Sequence, residues 1–156
     1  MNKDLFAKQL SGNERDFFET FDKSMDELGV NIVYVGENIV NYKISPKSKH
    51  AVIRCSSKNG KLRAEIWLNS LENIKSYGKY IDDLPEHIKK DFREFKKCTF
   101  CVPEALKNCG MLREYIIDGK PYYAHSHGRK AVIDKFLPGD HEYYKQIVKH
   151  ELSRVI

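Results

Sequence analysis

Residues 51–68 read AVIRCSSKNGKLRAEIWL, and this stretch decides the fold. Asn59-Gly60 is the dipeptide that most readily supplies the two left-handed residues of a tight hairpin turn. After it, Leu62, Ala64, Ile66 and Leu68 alternate with Arg63, Glu65 and Trp67. Side chains alternate across a strand, so one face is apolar and the other polar, as in an antiparallel sheet with one buried face. The pattern predicts strands over Ala51–Ser56 and Leu62–Leu68. Trp67 breaks the polar face. It lies either under a helix or a connection, or on a binding surface beside Arg63.

Outward from this hairpin, Ile32–Val35 and Ile39–Ile44 flank the turn Gly36-Glu37-Asn38 and predict two more strands. Upstream, Ser11 and Glu14 have capping-box spacing. Phe17, Phe18, Phe21, Met25 and Leu28 then recur at helical intervals up to Gly29, which can close the helix. Downstream, Asn69 and Glu72 open a short helix ending near Gly78. A second helix starts around Asp83-Leu84-Pro85 and carries Leu84, Ile88, Phe92 and Phe95 on one face. Met111–Ile117 and Pro121–His127 flank Asp118-Gly119, a second two-residue turn. Residues 129–137 are ambiguous. A terminal helix follows Pro138-Gly139, with Asp140 as its cap and Tyr144, Val148, Leu152 and Val155 on its apolar side.

The expected fold is α+β, an antiparallel sheet covered by helices, with a C-terminal Cys/His hairpin module and a terminal helix. No linker or repeat divides the chain, so residues 1–156 read as one domain. Within it, 1–97 form the helix-and-sheet part and 98–156 the hairpin and last helix.

The stretches GENIVNYKI, HAVIRCSSKNGKLRAEIWLNSLE and LPEHIKKDF lie within residues 31–97, in the order four strands then two helices. This part resembles small bacterial α+β proteins of the YdhG and MmcQ/YjbR type. The resemblance implies a fold and no catalytic residue, because the roles of those relatives are poorly defined.

At 156 residues the chain can bury a core without staples. No apolar run approaches the roughly 20 residues that span a bilayer, and Met1-Asn2-Lys3-Asp4 lacks a basic region followed by an apolar stretch, so a signal peptide is not expected. The expected location is therefore cytoplasmic, away from membranes. A Lys-, Ile- and Asn-rich composition suits a bacterial or phage source. The net charge of +5 is unevenly spread: −3 over residues 1–28, +6 over 29–97 and +2 over 98–156. The positive middle suits a phosphate-bearing partner, and it equally suits an ordinary solvated surface.

Of the four cysteines, Cys55 stands alone while Cys98, Cys101 and Cys109 cluster. A reducing compartment disfavours disulfides, and a Cys-x₂-Cys pair can turn two thiolates onto one tetrahedral ion. With Asp118-Gly119 as the turn, Ile117 falls opposite Lys120 and Leu112 opposite His125. That brings His125 to the end of the hairpin that Cys109 enters. Cys98, Cys101, Cys109 and His125 are thus the expected ligands of a structural zinc. His127 can replace His125, and the competing reading is three reduced cysteines in an apolar core.

Two imidazoles at His125 and His127 also fit an open metal site in a small metal-dependent hydrolase. The nearest carboxylates, Asp118 and Asp134, show no recognisable hydrolytic spacing. Phosphate-cradling glycine loops are absent. The remaining candidate surface is the basic, ring-bearing sheet region: Tyr42, Lys43, Lys47, Lys49 and Arg54, then Lys58, Lys61, Arg63 and Trp67. It fits single-stranded nucleic acid, and lysines between strands also discourage edge pairing. The functional expectation is a small binding protein with a structural zinc and no assigned catalysis. Its ligand would be nucleic acid, a small molecule or another protein.

Overall fold

The computed structural model describes residues 2–67, 81–93, 112–125 and 130–153. The chain divides into two compact units, one formed by Met1–Ile66 with Val132–Ile156 and the other by Trp67–Ala131.

In the first unit, helix α1 (Asn2–Lys8) and helix α2 (Gly12–Glu27) precede four strands. These are β1 (Asn31–Val35), β2 (Ile39–Lys43), β3 (Ile53–Lys58) and β4 (Lys61–Trp67), paired antiparallel in sequence order. A further strand, β7 (Lys130–Ile133), adjoins β4 and completes a five-stranded sheet in the order β1-β2-β3-β4-β7. The Asn59-Gly60 turn is as expected: both residues have positive φ, 53° and 75°, and Lys58 pairs with Lys61. The α+β class read from the sequence is the one observed.

The helix α2 begins where its polar residues predicted, but the capping box does not form. Ser11 is extended and makes no side-chain cap bond. Glu14 turns away from the helix start and accepts the Leu62 backbone N–H of β4 at 2.5 Å. A tertiary donor on β4 therefore takes the carboxylate that local spacing reserved for the cap. The C-terminus follows the local rule. Val30 N–H bonds to Met25 O and Gly29 N–H to Asp26 O, with Gly29 at φ 72°, which is a Schellman closure.

Register assigns the two faces of the sheet. Ile32, Tyr42, Ile53 and Ile66 lie in one row and Tyr34, Val40, Cys55 and Ala64 in the next, all on the inner face. Against this face pack the aromatic residues of α2. Phe21 meets Tyr42 edge-on at 5.0 Å, and Phe18 meets Phe6 of α1 at 4.5 Å. Phe17 touches Phe136 and Tyr144, which brings the terminal helix α4 (His141–Ser153) into the same core. The helix α1 was not foreseen. It buries Phe6 and Ala7, and Leu10 just beyond it is buried as well.

In the second unit, helix α3 (Glu86–Arg93) buries Ile88 and Phe92. The hairpin β5 (Leu112–Ile117) and β6 (Lys120–His125) turns at Asp118-Gly119, whose φ values of 49° and 76° match the predicted turn type. Its register runs from Ile117↔Lys120 to Leu112↔His125, as the turn required. The helix expected from Asn69 to Gly78, and the cysteine segment, lie outside the described residues.

Candidate functional site

The outer face of the first unit's sheet is where the expected basic residues collect. Strand alternation sends Lys43 of β2, Arg54 and Lys58 of β3, and Lys61 and Arg63 of β4 to this side, with Glu65 as its one carboxylate. Arg54, Lys58, Lys61 and Arg63 are exposed and Lys43 is half-buried. The loop residues Lys47 and Lys49 are exposed as well.

Some of these charges are held in place. Arg54 Nε donates to Asn41 Oδ1 at 2.9 Å, and Asn41 is only 8% exposed beneath it. The buried amide holds the guanidinium by its Nε while the side chain as a whole stays exposed. Arg63 Nη2 lies 3.1 Å from Glu65 Oε1, and Lys61 lies 3.8 Å from Glu14. Lys43, Arg54 and Lys58 have no carboxylate partner among the described residues. Exposed pairs of this kind add little stability, so they do not account for the surplus of cations.

Two members of the predicted surface differ from the rest. Tyr42 does not belong to it. Its ring lies on the inner face, fully buried, with its hydroxyl donating to Asp22 Oδ1 at 2.9 Å. The odd residues of β2 face outward, and Tyr42 is even. Trp67 has the parity of Arg63 on β4 and is half-buried. It stands where the second unit begins.

Beneath the sheet lies a buried polar cluster that sequence reasoning missed. Asp22, 2% exposed, accepts hydrogen bonds from Tyr34 and Tyr42 at 2.9 Å each, and Lys3 Nζ stands 2.8 Å from its other oxygen. Burial, with Asp22 adding to it, raises both phenols above their ordinary range, whereas the hydrogen bond to Asp22 raises Lys3. Cys55, the free cysteine of this region, is fully buried with its thiol pushed up by burial and then by Asp22. A thiol so held stays protonated and is a poor nucleophile.

In the second unit, the hairpin tip is tied to α3. Asp118 accepts from Lys89 Nζ at 3.0 and 3.2 Å and from Arg93 Nη2 at 3.1 Å, while its N–H donates to Asp82 Oδ1 at 2.7 Å. The hydrogen bond from Lys89, followed by that from Arg93, holds the Asp118 carboxyl below its ordinary value. Arg93 also pairs with Glu86. Asp118 is thereby committed to the turn. His125 ends β6 at the other end of the hairpin, on the order of 20 Å away at strand rise. The nearest acidic residue in sequence is therefore not a partner for a hydrolytic His125.

Cys98, Cys101, Cys109 and His127 lie outside the described residues, and of His125 the backbone position is described. Among the described residues, no three His, Cys, Asp or Glu side chains gather as a metal-binding group. No described helix is long and apolar enough to cross a membrane. No family model, no curated protein and no solved structure matches this chain.

Proposed function

We propose that this protein binds single-stranded nucleic acid along the outer face of its β1–β4 sheet. One observation carries the reading: strand register collects five cations and a single carboxylate on that face, with Arg54 pre-oriented by a buried Asn41. An open sheet suits an extended strand, whose phosphates repeat along its length while its bases lie flat. Duplex DNA is a poorer fit, because no described helix presents a row of cations comparable to the sheet's.

Zinc completes the proposal as a structural element. The thiolates of Cys98, Cys101 and Cys109 with the His125 imidazole make a closed tetrahedral set, which holds a fold together and activates no water. The Leu112↔His125 pairing supports this set, since Cys109 precedes Leu112 by three residues.

The test is a titration of fluorescently labelled oligo(U) and oligo(dT) at several salt concentrations. Three to five phosphate contacts predict a log–log salt slope of roughly −2 to −3.5 for a single strand. An affinity indifferent to salt, or no binding at low ionic strength, removes the proposal.

A further inference from the structure

Inside the sheet, β4 is flanked by β3 and β7, and its Leu62 N–H, which points away from β3, is taken by the Glu14 carboxylate at 2.5 Å. An edge of the sheet is β1, Asn31-Ile32-Val33-Tyr34-Val35, which carries no charge, no proline and no glycine. Edge strands are ordinarily guarded by such residues, because a bare edge is a template for another strand.

Hydrogen bonding shows which groups of β1 are bare. Ser57 N–H bonds to Asn38 O at 3.0 Å and Val52 N–H to Tyr42 O at 2.8 Å, so the even residues of this stretch aim their main chain at β3. The odd residues, Ile39, Asn41 and Lys43, therefore bond to β1 through Val35, Val33 and Asn31. That leaves the N–H and C=O of Ile32 and Tyr34 pointing out of the sheet. No hydrogen bond among the described residues uses these four groups. Tyr34 is held meanwhile by its hydroxyl on Asp22 at 2.9 Å, so the strand is already ordered.

We infer that β1 pairs antiparallel with β1 of a second copy of this chain, joining two sheets across a two-fold axis at Val33. The strand is complementary to itself in this one register. Ile32 faces Tyr34 of the second copy and exchanges both main-chain bonds with it, and the two-fold repeats the exchange, so all four bare groups are satisfied. Val33 faces Val33 as the close, non-bonded pair. Asn31 faces Val35, which is 49% exposed in the single chain and gains cover. No charged residue meets a like charge, which a charged edge would impose on any self-pairing. A second copy is the occupant this edge fits, because the register about Val33 uses every bare group of the strand and sets no charged residue against another. The inference stands on the edge alone and does not depend on what the outer face binds.

Light scattering coupled to size exclusion should give the mass of two chains, falling towards one on dilution. Val33→Lys and Val33→Glu each place like charges face to face across the axis, and each should run as a single chain. Mixed in equal amounts, they should recover the double mass, since Lys then meets Glu. The wild-type protein provides a reading free of mutation. Amide exchange at Ile32 and Tyr34 should be protected at high concentration and fast at low, with Val33 protected at both through Asn41. A wild type of single-chain mass at every concentration, fast exchange at Ile32 and Tyr34 throughout, or a Val33→Lys protein that still doubles its mass would each overturn the inference.

Discussion

Replacing Asp22 by alanine probes the polar cluster that joins α1, α2 and the sheet. The variant leaves the Tyr42 hydroxyl buried with no acceptor, which costs about 1–3 kcal/mol. Tyr34, half-buried, loses a bond of net value about 1 kcal/mol. Lys3 has a side chain 39% exposed, so its ion pair adds no more than about 1 kcal/mol after solvent screening. The expected loss is about 3 kcal/mol, a large part of the roughly 5–15 kcal/mol that holds a domain of this size folded. With a urea dependence near 2 kcal/mol per molar, the midpoint should fall by about 1.5 M. Tyr42→Phe, which deletes the donor and leaves Asp22 its other partners, should cost about 1 kcal/mol. Asp26→Ala, one turn along on the exposed side, should be silent. A midpoint for Asp22→Ala within 0.3 M of wild type would refute the claim that this cluster is a stabilising contact.

The same cluster sets an alkaline limit. Tyr34, Tyr42 and Lys3 all bind their protons more tightly when folded, so their contribution is complete below the ordinary values of 10.0 and 10.5 and is lost as pH rises beyond them. Urea midpoints should fall steeply above about pH 10, and less steeply in Asp22→Ala. At the acid end Asp118 behaves oppositely. Its lowered pKa makes the tie to Lys89 and Arg93 complete above 3.8 and lost as pH falls below it. Asp118→Asn should lower the melting temperature at neutral pH and flatten its decline below pH 4, as differential scanning calorimetry would record. For the zinc proposal, elemental analysis should find about one ion per chain, and chelation should lower the melting temperature. Cys98→Ser, Cys101→Ser, Cys109→Ser and His125→Ala should each lose the metal, while Cys55→Ser and His127→Ala should retain it.

The legible parts of this chain were those governed by neighbours in sequence. Asn59-Gly60 and Asp118-Gly119 each specify a turn through positive φ, and each turn then dictates its register down to Leu112↔His125. The alternation along β4 likewise told which of Leu62 to Trp67 would be buried. What escaped was set by contacts distant in sequence. Glu14 had the spacing of a cap and serves a strand 48 residues away. Tyr42 looked like one ring of a basic surface, because composition does not reveal which face a residue occupies until its strand's register is known. Asp22 sits on a helix whose pattern marks that position as polar. Only the tyrosines 12 and 20 residues later explain its burial. Of the surface itself, Lys58, Lys61 and Arg63 were legible, whereas the support that Asn41 gives Arg54 was not.

The central claim is that one face of the sheet, rather than net charge, binds nucleic acid. Two triple variants with the same change of charge test it most directly. Arg54, Lys58 and Arg63 replaced by Glu alter the outer face. Lys8, Lys23 and Lys149 replaced by Glu alter exposed positions on the helices. Anisotropy titrations with the same labelled single strand should show binding lost, or its salt slope reduced by roughly 2, in the first variant, with the second close to wild type. Equal losses in both variants, or retention in the first, would contradict the account.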